Sequence, residues 1–271
     1  MKLKHYLFSV FFLLLFLQSI AVAKPFCDMT QKEIDGEIIQ IRKKHVTFDE
    51  RINAIALLRS GTPYVLGPLG EDDFRGPVFQ TKTADCTVFV LTTLALAGAE
   101  TYADAKQNML RLNYYNPPRK GMTLVSYANR IHFTYDRICS NKHFKNITLS
   151  ILPTEKLKSI EMTLNQKGDG TELLPVNWKK KVKAYYIPCS LVNNSLLKKL
   201  SKKAYGVGFV REKAFPIGVV ISHEGFILNG KDLVHASSID KKVVKVNFEN
   251  YVKENSDYFD GIIISEFIGG F

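Results

Sequence analysis

Residues 85–98 read DCTVFVLTTLALAG, an apolar run of helix length closed by Gly98, and the way this run folds decides the rest. Thr87 and Val88 are β-branched, which leaves the start of the run open between helix and strand. A helix that begins here places Cys86 in its first turn, where exposed backbone N–H groups and the macrodipole favour a thiolate. The alternative is a buried and inert thiol, the commoner fate of a free cysteine. The rest of the chain has to supply what a working thiol would need.

Upstream, Thr30-x-x-Glu33 and Thr47-x-x-Glu50 are capping-box patterns, followed by Ile34, Ile38 and Ile41 and by Ile52, Ile55 and Leu58 at helical spacing. They predict two helices, the second ended by Gly61, and then a Gly- and Pro-rich connection, GTPYVLGPLGEDDFRGP (61–77), that leads to Cys86. Further helices are expected near 101–112 and 123–131. From about residue 140 the character changes. KAYYIPCSL, YGVGFV, PIGVVIS, GFIL, LVHAS, KVVKVNF and GIIISEFI read as short antiparallel strands, with a helix over Ser195–Lys203 between two of them. Helices first and strands afterwards indicate an α+β fold. Residues 140–183 carry the weakest pattern and are expected to be an insertion or lid.

Met1–Ala23 has Lys2 and Lys4 before an apolar run, then Ala21-Val22-Ala23, the pattern of a cleavable export signal. The run is short for a membrane span, so the expected product is a single domain over 24–271, periplasmic or secreted, with no stable membrane anchor. The chain carries a formal charge of +11, and the signal removes only Lys2 and Lys4 from its charged residues. An exported basic protein meets anionic wall polymers and membrane surfaces. No zinc-finger spacing, recognition-helix pattern or ribonucleoprotein signature points to nucleic acid. Cys27, Cys86, Cys139 and Cys189 are too few for a disulfide-built scaffold and lack CxxC spacing, so no metal site is expected. With Cys86 kept free, at most one disulfide is expected, Cys139–Cys189 ahead of any pair with Cys27 near the terminus.

A thiol nucleophile needs an imidazole to take its proton and a polar group to orient that imidazole. The segment SHEGFILNGKDLVHASS (222–238) offers His223 and His235 on either side of an Asn-Gly turn. A two-residue loop at Asn229-Gly230 would send the two rings to opposite faces of a hairpin. A three-residue loop, Leu228 to Gly230, or an equivalent bulge puts both on one face, with His223 opposite His235 and both rings toward the Cys86 helix.

GTPY (61–64), DCTVFV (85–90) and SHEGFILNGKDLVHAS together resemble the NlpC/P-sixty superfamily of cell-wall cysteine hydrolases. YVLGPLGE, DCTVFVLTTLALA, NRIHFTYDRI and SHEGF look like its N-acetylmuramoyl-L-alanine amidase-like branch. The resemblance implies a papain-like fold, with the nucleophile helix packed on an antiparallel sheet, and no cofactor. It implies Cys86 as nucleophile, His223 as general base and His235 as the residue that orients it. Tyr64 matches the tyrosine that lines the site, and Asp85 matches the acid before the nucleophile. Read from the residues alone, Tyr64 is equally a packed loop residue and Asp85 an ordinary N-cap. Arg130 and His132 fall in a branch motif and face an anionic muropeptide or sugar on this reading; a solvated helix arginine is the plainer alternative. Thr87-Val88 stands where the superfamily commonly has Ser-Gly, so the packing beneath the nucleophile should differ. The implied substrate is peptidoglycan or its muropeptides, cut between N-acetylmuramic acid and L-alanine. The alternatives are a cut in the stem peptide after D-glutamate, or a wall-binding protein on the same fold without turnover.

Overall fold

The computed structural model describes residues 24–67 and 77–270; the export-signal reading of 1–23 and the middle of the 61–77 connection lie outside the described residues. Both predicted capping boxes are formed. Thr30 and Thr47 accept the N–H groups of Glu33 and Glu50, whose carboxylates return to the threonine N–H groups, and these boxes open α1 (Gln31–Lys44) and α2 (Phe48–Leu58). The run that begins at Cys86 is a helix, α3 (Cys86–Ala97), because Asp85 caps it: its carboxylate accepts the Val88 N–H at 2.8 Å. Every residue of α3 from Val88 to Ala97 is buried, as a helix apolar on all sides must be. Thr101 and Asp104 form a third box ahead of α4 (Tyr102–Asn113), and α5 (Thr134–Ser140) follows.

The strands are β1 (Phe144–Asn146), β2 (Lys158–Leu164), β3 (Lys180–Pro188), β4 (Tyr205–Val210), β5 (Ile221–Leu228), β6 (Asp232–Ser237), β7 (Lys242–Asn247) and β8 (Gly261–Phe267). They build one sheet in the order β2-β3-β8-β4-β5-β6-β7, with β1 against β8 and every pair antiparallel. The fold is therefore α+β with an antiparallel sheet. Three short helices, α6 (Thr148–Ile151), α7 (Asn194–Lys199) and α8 (Phe248–Glu254), lie among the strands.

Alternation along the strands makes two cores, one on each face. Phe226, Leu228, Val234 and Ala236 face the N-terminal helices, where Phe89 of α3 meets Phe226 edge to face at 5.5 Å between centroids. Val207, Phe209, Ile227 and Leu233 face the other way, onto α7, Phe248, Val252 and Phe259. Full burial of each such side chain contributes about 1.5–3 kcal/mol.

Four expectations are corrected. The helix expected over 123–131 is only a single 3-10 turn, Tyr127–Asn129, because the buried Asn129 side chain ties the backbone at Tyr115, Arg119 and Leu124 into an irregular loop. The strand expected at PIGVVIS begins only at Ile221. Pro216 lies inside a 3-10 turn, Glu212–Ile217, which Gly218 ends at φ +82°, where a Cβ would stand 2.6 Å from the Gln166 nitrogen. The helix expected over Ser195–Lys203 is shorter, Asn194–Lys199, capped by Asn193. Cys139 and Cys189 are not joined: all four cysteines are free thiols, and the Cys189 sulfur lies 3.2 Å from the Phe259 carbonyl oxygen. Residues 140–183 contribute β1, α6 and β2 to the body of the fold, followed by a turn-rich stretch containing Leu173 and Leu174.

Candidate active site

Cys86 stands at the first position of α3, half-buried. The Asp85 carboxylate that caps the helix also accepts the Gly67 N–H at 3.1 Å, so the N-cap reading of Asp85 is the observed one. Burial pushes the Cys86 thiol up to about 12, helped by the carboxylates of Glu224 and Asp85 and opposed by the Glu224 N–H and the Thr87 hydroxyl. The helix N-terminus alone does not make this a resting thiolate.

Tyr64 is held against the same segment. Its N–H donates to the Lys241 carbonyl at 2.9 Å, the Val65 N–H donates to the Ala84 carbonyl, and the Ala84 N–H donates to the Pro63 carbonyl. Burial raises its hydroxyl pKa, and the proximity of Cys86 and Asp85 raises it further.

The two histidines meet. His223 Nε2 and His235 Nδ1 are 2.8 Å apart and share one proton, with ring planes at 81°. The hairpin reaches this by a bulge. Lys231 N–H bonds to Leu228 C=O across Asn229 (φ 54°) and Gly230 (φ 62°), a type I′ turn, yet pairing starts with Leu228 opposite Asp232. Lys231 is thus one residue too many, and its carbonyl is taken by the Phe248 N–H. The extra residue restores the parity that a two-residue loop would have lost, so both rings share one face, His235 diagonal to His223 and not directly opposite as expected. That face is also not the one on which the body of α3 packs. His223 pairs with Phe209 and stacks on Phe209 and Phe259, and His235 meets the Tyr251 ring edge to face at 4.8 Å.

Only the tip of α3 reaches across. A cavity of about 170 Å³ is walled by Cys86 and Thr87 on one side, His223 and Glu224 on another, and His132, Phe133, Leu173, Leu174 and Val219–Ile221 around them. With Nε2 engaged by His235, Nδ1 is the free ring nitrogen of His223. Burial holds His223 down to about 4, and burial together with the neighbouring His223 holds His235 down to about 3, so both are neutral near pH 7.

Arg130 does not line this cavity. It is buried beneath a second one of about 320 Å³, walled also by Gly67, Asp85, Asn113 and Tyr127, and its guanidinium lies 5.0 Å from the Tyr127 ring centroid. Thr87 and His132 wall both cavities, so the two are neighbours. His132 Nε2 is 2.7 Å from the Tyr127 carbonyl oxygen, and burial lowers its pKa to about 4. Among the described residues no group of three His, Cys, Asp or Glu could hold a metal ion.

Sequence reasoning missed Glu224, Thr134, Arg137 and Tyr251. The first three form a buried network behind Cys86. Glu224 accepts Thr87 Oγ1 at 2.8 Å, Thr134 Oγ1 at 2.9 Å and Arg137 Nη2 at 2.6 Å. An acid and an arginine inside otherwise apolar runs, GVVISHEGF and IHFTYDRI, were the available signal.

The family model for AmiA-like, N-acetylmuramoyl-L-alanine amidase-like proteins matches residues 54–262. The chain belongs to this family. A search of curated proteins found no match. The chain is similar in fold to a Legionella pneumophila str. Philadelphia 1 protein, with a TM-score of 0.68 at 22% identity, covering 88% of this chain and 95% of the other. It is similar to an N-acetylmuramoyl-L-alanine amidase from Bacteroides uniformis, TM-score 0.62 at 19% identity, over 81% and 98% of the two chains. A putative xylanase from Bacteroides fragilis aligns with a TM-score of 0.61 at 21% identity, over 79% and 99%.

Gly225 of β5, two residues after His223, lies against His235 of β6, and a Cβ there would stand 2.8 Å from the Val234 carbonyl oxygen and 2.9 Å from His235 Cβ. Gly225→Ala should therefore push β6 away and break the imidazole pair, at a cost of about 1–3 kcal/mol. Thermal unfolding reads this directly; a variant as stable as the parent would show that β6 yields without strain.

Proposed function

We propose that the protein is an exported cysteine amidase of peptidoglycan, cutting the bond between N-acetylmuramic acid and L-alanine on a papain-like fold of the NlpC/P-sixty superfamily. The observation that carries this reading is His223, hydrogen-bonded to His235, on the wall of the cavity that also holds Cys86, in a chain of an amidase-like family. Cleavage of residues 1–23 delivers residues 24–271 as one domain to the periplasm or the outside. The turn carrying Leu173 and Leu174 serves as the rim of the cavity.

The resting pair is a neutral thiol and a neutral imidazole, so proton transfer accompanies attack. Sγ of Cys86 bonds to the lactyl carbonyl carbon as its proton passes to Nδ1 of His223. The imidazolium is held in place by His235. The N–H of Cys86, at the first position of α3, has no acceptor within the helix and serves as an oxyanion donor. The C–N bond then breaks, and His223 returns the proton to the departing alanine nitrogen. Water attacks the thioester carbon, giving its proton to His223, and the C–S bond breaks to regenerate the thiol. The apolar wall of Phe133, Leu173, Leu174 and Val220 suits a methyl side chain beside the bond. Tyr64 and Asp85, in the segment that leads into α3, and Arg130, in the neighbouring cavity, serve as substrate-side residues.

Mass spectrometry of purified muropeptides after incubation with the protein tests this. Stem peptides with a free L-alanine amine, together with peptide-free muramic acid, are the expected products. Masses that place the cut after D-glutamate would replace the assigned bond, and unchanged muropeptides would favour a wall-binding role.

A further inference from the structure

The Glu224–Arg137 pair has no part in the steps above, yet it is the most deeply buried ion pair beside the site among the described residues. Glu224 is 5% exposed and Arg137 not at all. Arg137 Nη2 lies 2.6 Å from both carboxylate oxygens, while its Nε and Nη1 have no hydrogen-bond partner among the described residues. Apolar residues of similar volume often replace such a pair without loss of stability, so stability gives little reason to keep two charges here.

Its position gives a better one. Glu224 follows His223 on β5, and Thr87 follows Cys86 on α3; the bond from Thr87 Oγ1 to the Glu224 carboxylate, at 2.8 Å, joins the neighbours of the two reacting residues. Thr134, at the start of α5, donates to the same oxygen. The Glu224 side chain therefore grips the Cys86–Thr87 corner through Thr87. This matters because the body of α3 packs on the sheet face opposite the histidines, and the Thr87–Glu224 bond ties the Cys86 end of the helix to the strand that carries His223. The carboxylate works against thiolate formation, and Arg137 offsets its charge.

We propose that Glu224, held by Arg137, is a positioning residue that locks the Cys86 corner of α3 to the strand carrying His223. This rests on the cysteine amidase reading, and its test has an arm that does not. Glu224→Gln keeps the shape, removes the charge and loosens the grip. Turnover should fall on the order of 100-fold, as for a reacting group misplaced by about an ångström, with KM changed little. Alkylation of Cys86 by iodoacetamide, followed against pH, should move the opposite way: its midpoint drops by about one unit, because the Glu224 charge that works against the thiolate is gone. A variant that is slower in turnover but more reactive toward a small electrophile is not what a merely structural residue gives. Glu224→Gln with the parent's alkylation midpoint and turnover overturns the proposal. If that variant fails to fold, Thr87→Val, which cuts one link and leaves the ion pair intact, decides: lowered turnover at unchanged KM supports the lock, and parental turnover overturns it. Should the parent hydrolyse no muropeptide, the amidase reading fails, while an unshifted alkylation midpoint in Glu224→Gln is the separate failure of the lock.

Discussion

Cys86→Ala should abolish muropeptide hydrolysis, a loss on the order of 10⁴-fold or more, while leaving the protein folded. The fold should survive because Cys86 is half-buried at a helix terminus, where alanine is well tolerated, and the Asp85 cap bonds to Val88 and not to the cysteine. His223→Ala should be comparably severe, since His223 is the imidazole on the wall of the Cys86 cavity that a second ring, His235, orients, whereas His132 on the same wall is tied to the Tyr127 carbonyl. His235→Ala leaves nucleophile and base in place but removes what fixes the imidazole, so its loss should be milder. Hydrolysis rates paired with circular dichroism of each variant decide the matter, and parental turnover by Cys86→Ala would remove cysteine catalysis.

Most of this arrangement was legible in the sequence where a local signal existed. The two Thr-x-x-Glu boxes named their helices, whereas the box at Thr101 uses Asp104, a less familiar partner for the return bond. Cys86, His223 and His235 could be found as residues, and the Asn-Gly turn showed that a bulge was needed to bring the rings together. Which residue bulges, Lys231, depends on the Phe248 N–H that takes its carbonyl, a contact from outside the hairpin. The sheet face could not be read either, because the hydrophobic alternation of β5 is equally apolar on both sides: Phe226 and Leu228 serve one core and Ile227 the other. Glu224 escaped notice for a related reason. A lone acid in a strand reads as an outward residue until its arginine, 87 positions earlier in the chain, is found beside it.

Acidification should destabilise the protein well above the pH at which the folded site itself takes up protons. His223 and His235 are neutral in the fold, with pKa values near about 4 and about 3, whereas an unfolded histidine titrates at roughly 6.5. Between these limits the unfolded chain binds more protons than the folded one. The stability they confer is therefore complete above the unfolded value and lost as pH falls from there through the folded value. Each buried histidine adds a slope of about 1.4 kcal/mol per pH unit in that window. His132, lowered to about 4 by burial, acts in the same direction, and Asp85, raised by burial, acts against them at lower pH. Denaturant unfolding at pH 7, 6 and 5 should show a falling free energy, and His223→Gln with His235→Gln should flatten the profile. Activity should behave differently. The general base stays neutral in the folded enzyme until about pH 4, so kcat/KM measured before unfolding sets in should hold across pH 7 to 5. An acid limb near 6.5 in folded protein would mean that the His223 ring is solvated in the working enzyme and is not the buried, His235-bound imidazole described above.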